Sequence, residues 1–207
     1  MMCSEFSRSI VFAAAAIVVS ALVPPVGAVA DEAAEVAAVR AAIEKYKDVN
    51  AALADGYIPD PAGHCVTAAE EGLPPEWGGM GIHYIHPQML EITAGEPRVD
   101  GMSTHTDFQK PAILLYEPQA DGSLVLVGAE NLVFQKAWKA AGHDAPPVFA
   151  GRTWDPMADD PATPADEAHA FEPHYDQHVW THRENPSGAL MPFNPNVTCE
   201  HHKEQSH

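Results

Sequence analysis

The 207-residue chain carries 29 aspartates and glutamates against 11 lysines and arginines, a formal charge of −18. Such an excess of negative charge argues against nucleic acid and anionic lipid as partners and favours the gathering of cations. There are 12 histidines, all beyond the first thirty residues, an enrichment that raises metal chemistry without placing a site.

Residues 1–30 read as a Sec-type signal peptide. Arg8 supplies a positive start, Ile10 to Val23 is an apolar run, and Ala28-Val29-Ala30 precedes Asp31 as a small-residue cleavage pattern. The run is short for a membrane span, and no cysteine follows it at once, so no membrane anchor is expected after cleavage. The mature chain is expected to be secreted or periplasmic. About 177 residues then remain, enough for one domain over 31–199 with a polar, histidine-containing tail over 200–207 that is expected to be disordered. Cys3 leaves with the signal peptide, and Cys65 and Cys199 remain. In an oxidising compartment they most simply form one disulfide; the alternative is a pair of thiolate metal ligands.

Asp31 to Asp55 reads as one amphipathic helix, with Val36, Val39, Ile43, Tyr46, Asn50 and Leu53 at three-four spacing and Gly56 behind it. Its expected place is on a sheet. Tyr57 to Gly79 is dense in proline and glycine and reads as loop; it carries His64 beside Cys65. Met80 to His86 reads as a short strand in which His83 shares a face with Ile85, with glycines before it that permit a close approach. Gln88 to Lys110 shows no period and reads as a long excursion. Pro111 to Ala129 is a hairpin of two strands apolar on both faces, turning at Pro118-Gln119-Ala120-Asp121-Gly122. Glu117 and Glu130 then fall at ends of buried strands, where a carboxylate needs donors, a cation or water.

Asn131 to Ala141 is expected to be a short helix, and Asp144 to Ala170 a surface loop anchored by Phe149 and Trp154. His174 to His182 reads as a strand, bounded by Pro173 and by Asn185-Pro186-Ser187-Gly188, with Ala189 to Phe193 returning beside it. Its even positions put His174, Asp176, His178 and His182 on one face, a row of imidazoles beside a carboxylate. The fold expected is α+β: a small, mainly antiparallel sheet, an N-terminal helix packed on it, and long Pro/Gly-rich loops.

The sequence lacks a Gly-rich phosphate loop, a Gly-x-Ser-x-Gly elbow and a His-Glu-x-x-His pair, which leaves histidine and carboxylate chemistry. The leading expectation is a secreted or periplasmic metal-binding protein using a zinc, copper or iron ion. His83 and His178 would come from neighbouring strands, Glu117 or Glu130 would supply a carboxylate, and His182, His174 or His64 would complete the set. An open coordination position would make the centre catalytic, and a closed one structural. The alternative is a non-catalytic cell-envelope module in which Trp77, Tyr84, Trp154, Tyr175 and Trp180 line a pocket for a small ligand or glycan. A third reading is metal-free acid–base chemistry by a histidine tuned by Glu117 or Glu130.

Four stretches, Met80-Gly81-Ile82-His83-Tyr84, Leu115-Tyr116-Glu117-Pro118, His178-Val179-Trp180 with Asn185-Pro186-Ser187-Gly188, and Asn194-Pro195-Asn196-Val197-Thr198-Cys199, resemble in order and spacing a group of secreted bacterial proteins. The resemblance spans most of the mature chain and brings no activity or cofactor with it. In that pattern the positions of His174 and His182 tend to be aromatic, which implies His83 and His178 as the site and the other two as accessories.

Overall fold

A computed structural model describes residues 26–60, 63–162, 166 and 168–203; of residues 26–30 it describes the backbone alone. The signal-peptide reading falls mostly on residues 1–25, and the end of the tail on 204–207, both outside the described residues. Among the described residues no helix is long and apolar enough to cross a membrane.

The fold is α+β with an N-terminal helix and an antiparallel sheet. In chain order the strands are β1 (Ile58–Pro59), β2 (Cys65–Thr67), β3 (Gly79–Ile85), β4 (Ile92–Ala94), β5 (Asp100–Gly101), β6 (Ile113–Pro118), β7 (Leu124–Phe134), β8 (Val148–Phe149), β9 (Arg152–Thr153), β10 (Asp155–Met157) and β11 (His174–Trp180). The helices are α1 (Val26–Ile43), α2 (Val49–Ala54), α3 (Pro87–Leu90) and α4 (Gln135–Ala140). The main sheet runs β1–β3–β6–β7–β11–β10, with β2 also on β3. The two-stranded pairs β4–β5 and β8–β9 lie apart from it.

One face of the sheet carries Tyr84, Leu114, Tyr116, Ala129, Val133 and Val179, and the helical segment buries Val39, Ile43, Tyr46 and Ala52 on it. The single helix expected over 31–55 is broken. A 3-10 turn at Glu44–Lys47 precedes Asp48, whose side chain accepts from Asn50 N and starts α2. A short acidic side chain competes for backbone donors in this way and favours a cap over a helix interior. The carbonyl of Tyr46 in that turn accepts from Tyr116 Oη at 2.7 Å, tying the break to the sheet.

The second strand of the hairpin is longer than its expected end at Ala129. β7 continues to Phe134, and the expected helix 131–141 shrinks to α4. Leu132 and Phe134 pack on one side of the sheet and Val133 on the other, so the run alternates as a strand does. Asn131, fully buried there, accepts from Ala112 N at 2.7 Å. Phe149 and Trp154 do anchor their loop, both against Phe108 of the excursion 88–110. β11 stops at Trp180 because Thr181 N and His182 N both turn to the carbonyl of Val127. Ala189 to Phe193 forms no strand; Ala189 O and Met191 O instead receive the backbone and indole N–H of Trp180.

Cys65 and Cys199 form a disulfide across 134 residues. The chain-entropy account assigns about 5 kcal/mol to a loop of that length. The bond joins β2 to the C-terminal segment and removes both sulfurs from any ligand set.

Candidate metal centre

The face of the sheet away from α1 holds the polar cluster. β-pairing fixes it: Glu130 is opposite Ile113 of β6 on one side and opposite His178 of β11 on the other, while His83 of β3 is opposite Leu115 of β6. Cross-strand partners point the same way, so the three side chains leave one surface together. Glu130 is therefore a mid-strand residue. Its expected position at a strand end is corrected by the longer β7. Gly81 helps bring β3 in: its φ is +91°, and a Cβ there would stand 2.5 Å from the Tyr116 carbonyl oxygen of β6.

His83 Nε2 is 3.2 Å, and His178 Nε2 3.5 Å, from Glu130 Oε2. The ligand atoms of the three residues all lie within 4.8 Å of one another. The two imidazole rings meet edge to face, 6.1 Å between centroids. Bonds of about 2.0–2.1 Å to a tetrahedral zinc ion would separate neighbouring ligand atoms by roughly 3.3 Å. The two measured edges fall on either side of that value.

The site is buried, with side-chain exposures of 13% for His83, 5% for Glu130 and 1% for His178. Despite the short distances, Glu130 Oε2 and both ring nitrogens of His178 make no hydrogen bond among the described residues. Buried groups of this kind are normally satisfied, and ring nitrogens and a carboxylate oxygen that converge in this way are an arrangement a cation can resolve. Burial lowers His178 to about 4 against the pull of Glu130. Burial also opposes the charge on Glu130, but His178, His83 and His174 outweigh it and hold the carboxyl at about 2. Near neutral pH burial thus keeps His178 a neutral imidazole, the form that binds metal.

Around the cluster is a pocket whose other walls include His174, Asp176, His169 and Asp60. Asp176 and His169 were not among the site residues expected from sequence. Asp176 stood in view on the same strand face; its buried Oδ1 has no hydrogen bond among the described residues. Burial, then Glu130 and Asp155, push its carboxyl well above the ordinary value. His169 has φ +51° and pairs with Glu71 at 3.3 Å; nothing in its local sequence marks it.

The other expected ligands are held elsewhere. The row His174–His178–His182 is corrected by strand geometry: four residues of strand span about 13 Å, too far for one ion to share. His174 lines the same pocket, buried, and its Nδ1 donates to the Glu172 carbonyl at 3.0 Å, which leaves the lone pair on Nε2. His182 lies beyond the strand end and its Nε2 meets Glu44 at 2.9 Å. Glu117 is taken by the backbone N–H of Thr198 and by Arg183. His64 is exposed, on the wall of a second, outer pocket.

The aromatic residues do not form one cleft. Tyr84, Trp154 and Tyr175 belong to the core under the helix, Trp180 to the opposite core, and Trp77 is exposed. Comparison with protein-family models, curated proteins and solved structures gives no match.

Proposed function

We propose that this is an exported protein that binds one transition metal ion through His83, Glu130 and His178. The convergence of three ligand atoms within 4.8 Å, with those of Glu130 and His178 buried and without a hydrogen bond among the described residues, carries the reading. Two imidazoles and a carboxylate suit zinc and non-haem iron best among the metals considered, and copper after them. Export is supported by the leader-like composition of the first thirty residues, by the Cys65–Cys199 bond, which belongs to oxidising compartments, and by the likeness to secreted bacterial proteins. The glycan- or ligand-binding module has less support, since its aromatic residues are divided between two cores.

The test is elemental analysis of gently purified protein beside His83→Ala and His178→Ala. About one transition metal per chain is expected in the wild type, as in other such sites, and a marked loss in both variants. A metal-free wild type whose melting temperature does not respond to added zinc, iron or copper would sink the proposal.

A further inference from the structure

Three protein ligands are fewer than zinc or non-haem iron takes. Among the described residues no fourth histidine, cysteine or carboxylate joins the group. The cluster borders a cavity of about 30 Å³. A water molecule needs roughly 10–15 Å³ measured in the same way, so the cavity has room for about two such spheres, an ion and one water. An organic ligand would not fit.

The wall of that cavity carries one polar atom that the cluster does not account for. Asp176 stands two residues before His178 on β11, so the two side chains share a face of the sheet. Asp176 is 3% exposed, and its Oδ1 is buried without a hydrogen bond among the described residues. The other titratable groups on the wall are held differently. His169 is paired with Glu71, His174 has its Nδ1 on the Glu172 carbonyl, and Asp60 is engaged as well. A buried carboxyl oxygen is normally satisfied by protein or by ordered water. A water on the ion, at about 2 Å from it, reaches a carboxyl oxygen about 2.7 Å further on. A group that stands outside the ligand set can therefore still hold the ion's water.

We propose that the bound ion carries one water molecule beside its three protein ligands, and that this water donates a hydrogen bond to Asp176 Oδ1. Asp176 is then the positioning residue of the centre. The proposal rests on the metal-binding reading above. Oδ1 can accept as a carboxylate or as the carbonyl oxygen of a neutral acid, so the contact does not depend on its ionisation. The ligand class at the position is water and its conjugate hydroxide, which a bound cation makes available near neutral pH. The centre is thus open to water and closed by size to larger molecules.

The experiment uses full-length protein stripped with a chelator and reloaded with cobalt(II). In water enriched in the magnetic oxygen isotope, the EPR lines of the cobalt protein are expected to broaden, the mark of a directly bound solvent oxygen. Relaxation of the solvent oxygen NMR signal then reads how long that water stays. Asp176→Val removes the acceptor at nearly the same volume, and Asp176→Asn keeps one; Asp176→Ala stands in should the valine variant fail to load. The residence time is expected to fall by on the order of tenfold in the valine or alanine variant, the loss of one hydrogen bond, and to stay within about threefold of the wild type in Asp176→Asn. A cobalt-loaded wild type without broadening would show a centre closed to water and overturn the proposal while leaving the metal site intact. An unchanged residence time in the loaded valine or alanine variant would overturn the role of Asp176. Loss of cobalt from all three variants would make Asp176 a ligand in its own right and overturn the water bridge. Failure of the wild type to bind cobalt would remove the metal reading and this one with it.

Discussion

Glu130 and His178 are register partners on adjacent central strands, and their Oε2 and Nε2 atoms stand 3.5 Å apart. The backbone of Glu130 is held on both sides, opposite Ile113 of β6 and His178 of β11, while His178 is paired with β7, the β10 register reaching only as far as Asp176. The spacing of the two ligand atoms is therefore set by sheet pairing, the most rigid support the fold has to give. Glu130→Gln keeps the shape and removes the charge. Zinc at about a hundred times its dissociation constant should stabilise the wild type by about 2.7 kcal/mol. For a chain of this size that is a rise of roughly 5–10 °C in Tm. In Glu130→Gln the rise should nearly vanish. Thermal melts of both proteins, metal-stripped and reloaded, check this; equal shifts would take Glu130 out of the ligand set.

The pH dependence of the metal-free protein follows from the same burial. His174 and His178 are both lowered to about 4 by burial, against about 6.5 in an unfolded chain. The unfolded state binds more protons between those values, so stability falls as the pH drops from about 6.5 to about 4. Glu130, held at about 2, extends the loss as the pH falls below the ordinary carboxylate range. Urea midpoints measured in chelator should decline through this window, by on the order of a few kcal/mol in all. His174→Gln should flatten the upper part of the slope. A profile level from pH 7 to pH 4 would refute the shifts.

Asp176 has the opposite sign. Burial, with Glu130 and Asp155, raises its carboxyl, so its neutral form is the one the fold tolerates. Whatever stability it contributes is present at low pH and is lost as the pH rises through the raised value. Asp176→Asn keeps the size and polarity of the neutral acid and cannot ionise. In metal-free protein it should be more stable than the wild type at pH 8 and indistinguishable from it at pH 4. Denaturation at the two pH values separates the outcomes; a variant weaker at pH 8 would mean that the charged form is the one the fold supports.

The parts legible in the sequence were those with a local signature. The hairpin showed as two apolar runs around a Pro-Gly turn, and the disulfide as the two cysteines beyond the first thirty residues. His83 and His178 stood on short alternating strands. What the sequence hid was register. Whether Glu117 or Glu130 met the histidines depended on how β7 paired with β6 and β11, and the extension of β7 through Leu132, Val133 and Phe134 was masked by spacing that also suits a helix. The His174–His178–His182 row looked like a site because alternate positions of a strand share a face, which puts all three imidazoles on one side. Four-residue spacing along that strand spreads them over more than one site. His169 enters the pocket through a left-handed turn with no pattern of its own, so only the folded chain places it.

Glu117 separates a structural carboxylate from a ligand. It is 5% exposed and is satisfied by the N–H of Thr198, at 3.0 Å, and by the Arg183 side chain. Those contacts hold the segment that leads to Cys199 against the end of β6. Glu117→Ala leaves a buried N–H and a half-buried guanidinium without their acceptor, so a loss of about 1–3 kcal/mol is expected. Because Glu117 is engaged by Thr198 and Arg183 and is not among the three converging residues, the folded variant should keep the wild-type metal content. Urea denaturation gives the first quantity and elemental analysis the second. A stable Glu117→Ala protein that had lost its metal would return Glu117 to the ligand set and remove the distinction drawn between the two glutamates.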